Sequence, residues 1–328
     1  MLSSMWLKST ILLLLGCILV CVRAAPGAVD AAKRVSWKDM DFDKVYAPNP
    51  PVTHRVLITI GYFDAEENKE QEHEISIDLY GTVTPKTVQN FVTLCRGVKF
   101  KFHNAADPEE AHSFSFKESK LHKIIANKLI QGGDVFDNSA ALSIYGPYWD
   151  DENFDLKHDR PGRLSMANTG PNTQGSEFFI VTQLEPASEF DSKNVVFGQV
   201  VAGMDDLVDK IQYVETDAEG KPAHDVVLKY ILVDELKLSN KDELHAAYLK
   251  KLEEFQKGDL SKGVSMGTTM ALGAKEEEAL DEIKFNNLHH PLFKVLIGMS
   301  ILSGLYVLAK FRKRNFSKSS NIVSLRRE

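Results

Sequence analysis

The chain of 328 residues has little cysteine, and two of its three cysteines, Cys17 and Cys21, fall within the first 24 residues. If that segment is removed, Cys95 remains alone and no internal disulfide can form. The chain also lacks a basic excess. Its formal net charge of −7 argues against a general nucleic-acid binder. It has no long low-complexity tract, so a mainly disordered chain is not expected.

Two apolar runs stand at the ends of the chain. The first, Ile11 to Val20, follows Lys8 and is followed by short side chains ending at Ala24. This layout predicts a secretory signal peptide over residues 1–24, with an uncleaved signal anchor as the alternative. In both cases the bulk of the chain enters the secretory lumen.

The second apolar run predicts a transmembrane helix over residues 291–309. Its 18 residues from Leu292 to Ala309 would span about 27 Å, which suits a thin bilayer such as that of the endoplasmic reticulum. Lys294 lies near one end and can reach the interface. The basic segment 310–328 predicts a cytosolic tail. A buried soluble helix is the alternative, but a single-pass anchor fits better.

Between the two ends, the sequence divides into a leader (25–53), a compact domain (54–238) and a polar helical stalk (239–290). Alternating apolar residues predict strands around Val56 to Ile60 and Ile75 to Leu79. Helical spacing predicts two helices. The first has Thr84 as its N-cap and Pro85 in its first turn and ends at Gly97, and the second lies around Met204 to Ile211. Further strands are predicted at 178–182, 195–201 and 226–233. Many short strands with two helices favour a mainly β fold, a closed antiparallel barrel.

The stalk is predicted to contain its own helix. Asn240 can cap it, and Glu243 completes a capping-box pattern. An apolar stripe follows on one face, formed by Leu244, Tyr248, Leu252 and Phe255. The stripe either docks on the barrel or pairs with another chain, and docking is the simpler interpretation.

Several collinear motifs of the domain resemble those of the cyclophilin family, over about Arg55 to Leu238. They are Pro85-Lys86-Thr87 with Asn90-Phe91, then Leu121 to Ile125, Gln131 to Asp134, Asp151 to His158, Leu164 to Ile180 and Val195 to Gly198. The resemblance implies an eight-stranded antiparallel barrel capped by two helices. It also implies peptidyl-prolyl cis-trans isomerase activity, which needs no cofactor and no metal.

The resemblance also assigns a site, and this chain departs from the family pattern there. Lys123 stands where the family has its catalytic arginine, and Gln131 matches the second catalytic position. Lys128 stands at an aromatic position, Glu177 replaces a glutamine, and Glu189 stands where many members carry the tryptophan that contacts cyclosporin. Cyclosporin binding is therefore expected to be weak. The implied substrate-binding residues are His122, Leu129, Ala167, Asn168, Thr169, Phe179, Glu189, Phe190 and Asn194.

These features predict an isomerase that assists folding of proline-containing client chains in the secretory lumen. Two alternatives remain open: a catalytically weakened proline-peptide-binding chaperone, and a membrane-tethered assembly subunit. An insertion over Gly97 to Lys120 either borders the peptide groove or is a variable surface loop. The acidic run Asp150 to Asp155 lacks the spacing of a calcium loop.

Overall fold

The computed structural model describes residues 34–100, 112–135 and 142–273. The predicted signal peptide, membrane helix and basic tail lie outside these ranges. Within them, no helix has the length and apolar character needed to cross a membrane. The chain divides into two units, 1–269 and 270–328, and only residues 270–273 of the second are described.

Twelve strands and three α-helices form the described structure. The strands are β1 (Val45–Tyr46), β2 (His54–Asp64), β3 (Lys69–Leu79), β4 (Val98–Phe100), β5 (His112–Phe114), β6 (Lys123–Ile125), β7 (Leu129–Gly132), β8 (Arg163–Met166), β9 (Phe178–Val181), β10 (Val196–Ala202), β11 (Val227–Glu235) and β12 (Val264–Ser265). The helices are α1 (Pro85–Arg96), α2 (Met204–Asp209) and α3 (Lys241–Gln256), with 3₁₀ turns at Trp37–Asp39, Ser188–Phe190, Ile211–Tyr213 and Leu260–Lys262. The strands and helices predicted from apolar spacing are confirmed.

Eight of the strands form one curled antiparallel sheet in the order β11-β2-β3-β10-β8-β9-β7-β6. The predicted mainly β fold with helices is therefore confirmed, but the prediction of a closed barrel is wrong. No ladder joins the end strands β6 and β11 in the described chain. The residues just before β6 make the connection instead: Lys120 bridges Val227, and the Leu121 amide donates to the Val226 carbonyl at 2.8 Å. The sheet is thus a half-barrel.

The inner face of the sheet carries the apolar residues that the alternation predicted. Val56, Ile58 and Ile60 of β2 are almost completely buried, as are Ile75, Ile77 and Leu79 of β3. A cluster of aromatic rings completes this core. Phe116 belongs to the predicted insertion, yet it is buried and its ring lies 5.1 Å from that of Phe91. The insertion therefore contributes to the core at its C-terminal end, while its tip lies outside the described residues.

Helix α1 begins and ends where the sequence predicted, but its N-terminus is capped differently. The Thr84 hydroxyl points back to the Tyr80 carbonyl and makes no cap. The Glu152 carboxylate takes its place, accepting from the amides of Lys86 and Thr87 at 2.8 Å each and from the Thr87 hydroxyl at 2.7 Å. A carboxylate at a helix N-terminus also interacts favourably with the helix dipole. Glu152 of the acidic run therefore has a structural role as the cap of α1.

We expect Glu152→Ala to lower the free energy of unfolding by about 1–2 kcal/mol, because three charge-assisted hydrogen bonds to the helix start are lost. Chemical denaturation at neutral pH measures this loss. Asp150→Ala is the matched control, since Asp150 is exposed and lies two residues away. Equal stability of the two variants would show that the cap contributes nothing.

The leader and the C-terminal part of the first unit pair with each other. Strand β1 pairs with β12 in antiparallel register, Val45 opposite Ser265 and Tyr46 opposite Val264. On α3, Tyr248 is buried, so the predicted stripe packs within the chain. The predicted capping box does not form, because the Asn240 side chain donates to the Glu243 carboxylate at 3.3 Å and makes no hydrogen bond to the backbone of the helix start.

A buried charged cluster lies where the leader meets the domain. Arg160 is fully buried, and its Nη2 donates to the Ala47 carbonyl at 2.6 Å and to Asp159 Oδ2 at 2.7 Å. Its guanidinium lies 4.8 Å from the centroid of the Tyr46 ring. The other oxygen of Asp159 accepts from Nε of the buried Arg163 at 2.9 Å. One carboxylate thus holds two arginines, and one of those arginines binds the leader.

Candidate active site

A cleft of about 940 Å³ opens at the β6–β7 end of the sheet. Its walls come from β6 and β7, the loop after β8, strand β9 and the 3₁₀ turn Ser188–Phe190. The lining residues are Lys123, Ile125, Lys128, Leu129, Gln131, Asp151, Phe154, Ala167, Asn168, Thr169, Gly170, Pro171, Phe179, Glu189, Phe190, Ser192, Lys193 and Asn194.

The floor of the cleft is apolar. Leu129 and Phe179 are buried and belong to one cluster, against which Ala167 and Phe190 pack. The rings of Phe179 and Phe190 have their centroids 5.0 Å apart at an angle of 51°. A floor built from tilted rings and a branched side chain suits a small saturated ring such as that of proline.

His158 supports this floor from behind. Its ring is parallel to that of Phe179 at 5.9 Å and lies 5.7 Å from that of Phe190. Nδ1 lies 2.9 Å from Asp191 Oδ1, and Nε2 lies 2.9 Å from the Ser165 hydroxyl. Burial lowers the pKa of His158 below its usual 6.5, and the Asp191 carboxylate offsets this only in part. The imidazole is therefore neutral in the folded protein at neutral pH.

This pKa shift predicts that stability falls in mild acid. Because the folded pKa is lower than the unfolded one, the unfolded chain binds more protons below about pH 6.5. The contribution is full above that pH and is lost as the pH falls below it. Replacing the imidazole removes this titration, so we expect His158→Gln to flatten the fall in thermal midpoint between pH 7.5 and 5.5. The exposed His224 provides the control, and a His224→Gln variant that flattens the curve equally would contradict this role for His158.

The polar wall beside the floor is organised around Glu177. Gln131 pairs with Lys123 across β6 and β7, and its Nε2 donates to Glu177 Oε2 at 2.7 Å. His122 Nε2 lies 3.5 Å from the same oxygen. Burial alone would raise the pKa of Glu177, but these hydrogen bonds and the charges of His122 and Lys123 lower it below its usual value. Glu177 is therefore an anion that orients Gln131 and keeps negative charge behind Lys123.

This arrangement determines which groups remain for a bound peptide. The amide nitrogen of Gln131 is used within the protein, which leaves its carbonyl oxygen Oε1 as an acceptor for a peptide N–H. The Lys123 ammonium forms no ion pair within residues 34–100, 112–135 and 142–273. It is therefore available to donate to a carbonyl oxygen or a proline nitrogen in the cleft.

The mouth of the cleft is bridged by a pair of opposite charges. Lys128, on the turn between β6 and β7, places Nζ 3.6 Å from Glu189 Oε1 and 5.3 Å from the centroid of the Phe190 ring. Both side chains stay partly exposed, so the pair is weak in energy. It nevertheless makes this rim polar.

A family model and several relatives match this chain in sequence. The family model described as "Cyclophilin type peptidyl-prolyl cis-trans isomerase/CLD" matches residues 62–233, which is more than half of the chain. The chain belongs to the cyclophilin family.

Three of the relatives of this cyclophilin come from Saccharomyces cerevisiae. The chain is 42% identical to "Peptidyl-prolyl cis-trans isomerase CPR4", over 98% of this chain and 99% of that protein. It is 40% identical to "Peptidyl-prolyl cis-trans isomerase CYP8", over 94% and 95% of the two chains. "Peptidyl-prolyl cis-trans isomerase B" is 47% identical over 49% of this chain and 73% of its own length.

The structure brings together the site residues that the sequence predicted for this cyclophilin, with one difference. All of them line the cleft except His122, which contacts Glu177 behind the wall. Its Nδ1 is buried and has no hydrogen-bond partner in the described part of the chain. We therefore place His122 as a support of the polar wall. The catalytic and substrate-binding roles of the other residues stay predictions.

Two predicted substrate-binding amides are used to hold the wall. Asn168 Nδ2 donates to the Lys193 carbonyl at 2.7 Å, and Asn194 Nδ2 donates to the Met166 carbonyl at 2.9 Å. Both side chains thus brace the loop after β8 against the segment after Phe190. Their amide nitrogens are occupied in this structure, which leaves the carbonyl oxygens and the main chain for a peptide.

Sequence reasoning missed several lining residues, among them Lys193, Ser192 and Ile125. Lys193 and Ser192 directly precede the predicted Asn194, so their position in the sequence was the available signal. Asp151 also lines the cleft, but its carboxylate accepts hydrogen bonds from the main-chain N–H of Asn172 at 3.0 Å and from the Gln174 side chain. In the described residues no group of three acidic, histidine or cysteine side chains is placed to hold a metal ion.

Proposed function

We propose that this cyclophilin catalyses cis-trans isomerisation of X-Pro bonds in client chains within the secretory lumen, tethered by one C-terminal helix. The observation that carries the enzymatic part is the cleft itself. An apolar floor of aromatic rings lies beside an oriented glutamine and a lysine that has no ion pair in the described residues. The two relatives named as isomerases that align over nearly the whole chain support the same activity.

The reaction requires little chemistry beyond binding and polarisation. Rotation about an amide bond costs about 18–20 kcal/mol because the nitrogen lone pair is shared with the carbonyl. A site lowers this barrier if it holds the proline ring, fixes the adjoining peptide and stabilises the twisted amide electrostatically. The Phe179–Phe190 floor serves the first need, Gln131 Oε1 the second and the Lys123 ammonium the third. No bond is made or broken, and no cofactor takes part in this scheme.

The activity is tested with the full chain in detergent or nanodiscs. Exchange spectroscopy of Ala-Ala-Pro-Phe measures cis-trans interconversion, and we expect catalysed exchange well above the spontaneous rate. Binding without acceleration would favour the alternative of a proline-peptide-binding chaperone. One observation supports that alternative: Lys123 stands where the family has an arginine, so the site lacks the planar guanidinium.

The tether and compartment rest on the sequence. Support comes from the apolar runs within 1–24 and 291–309 and from the basic segment after the second run. In microsomes we expect residues 34–273 to be protected from added protease and the protein to resist carbonate extraction. Deletion of residues 291–309 is expected to release it from the membrane. Accessibility of the domain from outside would overturn the proposed topology.

Weak cyclosporin binding completes the proposal. Glu189 stands at the rim where a family tryptophan would contact the drug, and its carboxylate is engaged by Lys128. A charged pair offers a poor surface for an apolar cyclic peptide, because contact would desolvate both groups. The strength of cyclosporin binding is measured by titrating the full chain with the drug and following the inhibition of peptide exchange.

A further inference from the structure

The residues that line the cleft include one more lysine than carboxylate, although the chain as a whole is negative. Three lysines line the cleft, Lys123, Lys128 and Lys193, together with two carboxylates, Asp151 and Glu189. The formal net charge of the chain is −7, so this excess of lysine is local.

The carboxylates of the cleft are already engaged by the protein. Asp151 accepts hydrogen bonds from the Asn172 amide and the Gln174 side chain. Glu189 lies 3.6 Å from the Lys128 ammonium. Glu177, behind the wall, accepts from Gln131 at 2.7 Å. A basic peptide side chain would therefore compete with existing partners for each of these groups.

The lysines are less occupied than the carboxylates. Lys193 Nζ donates to the main-chain carbonyl of Glu189 at 2.8 Å, which is a neutral partner. Lys123 has no acidic partner in hydrogen-bond contact among the residues that the structure describes. Lys128 and Lys193 thus converge on Glu189 from two sides, one on its carboxylate and one on its carbonyl. Two ammonium groups thus contact Glu189, but only that of Lys128 pairs with its carboxylate.

Both ammonium groups belong to residues that adjoin the floor of the cleft. Lys128 Nζ lies 5.3 Å from the centroid of the Phe190 ring, and the Lys193 amide donates to the Phe190 carbonyl at 3.2 Å. A proline ring seated on Phe190 would place the side chain of a neighbouring residue close to these lysines. A carboxylate there would gain the attraction of ammonium groups whose charge is not fully matched.

We propose that this site prefers X-Pro peptides that carry a carboxylate on the residue directly before or after the proline. The inference rests on the proposed function, because it names the substrate class of the same cleft. It assigns the selectivity to Lys128 and Lys193, at positions that do not bear on rotation of the bond. From the strength of partly exposed ion pairs, we expect about a two- to fivefold gain in kcat/KM for the acidic peptide over its amide isostere.

The test compares peptides that differ only in charge. Ala-Glu-Pro-Ala-Ala and Ala-Ala-Pro-Glu-Ala are each measured against the glutamine and lysine counterparts, using the full chain at low salt. We expect at least one glutamate peptide to exceed its glutamine counterpart and the lysine peptides to be slowest. The gain should largely disappear at about 0.5 M NaCl, because salt screens exposed charges. Lys193→Gln should reduce the gain, whereas Lys237→Gln, an equal charge change on an exposed residue outside the cleft, should keep it.

The outcomes separate this proposal from the isomerase proposal. Equal rates for glutamate and glutamine peptides, with all of them isomerised, would overturn the acidic preference and leave the isomerase in place. Faster turnover of the lysine peptides would overturn it too. If no peptide is isomerised but the glutamate peptides bind more tightly in NMR titrations, the preference is supported and the isomerase is overturned.

Discussion

Asp159→Asn is expected to lower the free energy of unfolding by about 3–5 kcal/mol, because it leaves two buried guanidinium groups without their shared anion. Arg160 and Arg163 have almost no exposed side-chain surface, and both donate to Asp159. Asparagine keeps the shape of the side chain but removes the charge and adds amide donors that face other donors. Denaturant unfolding at pH 7 measures the loss.

The pH dependence of the same carboxylate gives an independent check. Burial alone would raise the pKa of Asp159, but the charges of Arg163 and Arg160 lower it to about 2. A lowered folded pKa means that its stabilisation is present above the unfolded pKa of about 3.9 and is lost as the pH falls toward 2. The wild-type chain should therefore lose more stability than Asp159→Asn between pH 4 and pH 2.

Asp155→Asn is the control for both measurements, since Asp155 is exposed and carries the same change of charge. If Asp159→Asn were as stable as this control, the two arginines would not depend on the carboxylate. The cluster would then be held by other contacts, such as the Ala47 carbonyl and the Tyr46 ring.

Lys123→Ala is expected to reduce kcat/KM for Ala-Ala-Pro-Phe by about ten- to a hundredfold, since it removes the cationic donor that stabilises the twisted amide. The side chain is partly exposed, so stability should change little. Lys123→Arg is expected to raise kcat/KM several-fold, because a planar guanidinium can place two parallel N–H groups on the substrate. Exchange spectroscopy with the full chain measures both variants.

Lys237→Ala is the control, since it removes one positive charge from an exposed residue that does not line the cleft. Unchanged activity in Lys123→Ala would show that the ammonium plays no part in the reaction. An inactive wild type that binds peptide and gains activity in Lys123→Arg would identify a proline-peptide binder that has lost the catalytic group.

The elements of the fold could be predicted because their apolar residues follow simple periods. Val56, Ile58 and Ile60 alternate along β2 and all face the core. Pro85 and Gly97 mark the two ends of α1 through backbone geometry, and Gly97 has a φ of 78°. The site residues were predictable for a different reason, since collinear family motifs carry them at fixed positions along the chain.

What could not be predicted depends on contacts between distant residues. Thr84 has the right residue type for a cap, but Glu152 lies close enough in space to replace it. The open join between β6 and β11 follows from where main-chain groups meet, and no local period encodes it. The partners of the charged site residues could not be predicted either, because the pairs of Glu189 with Lys128 and of Glu177 with Gln131 join residues far apart in sequence.

The pairing of β1 with β12 has a consequence for how the chain is made. These strands come from opposite ends of the described sequence, so their ladder cannot form until nearly all of the described chain has been synthesised. The half-barrel can assemble earlier, because its strands all precede Lys241. We therefore expect folding during synthesis to proceed in two stages, with the half-barrel first and the joining of leader to C-terminal segment last. During that interval Arg160 lacks its contacts with Ala47 and Tyr46 of the leader, and an arrested nascent chain ending before β12 should expose Tyr46 to protease.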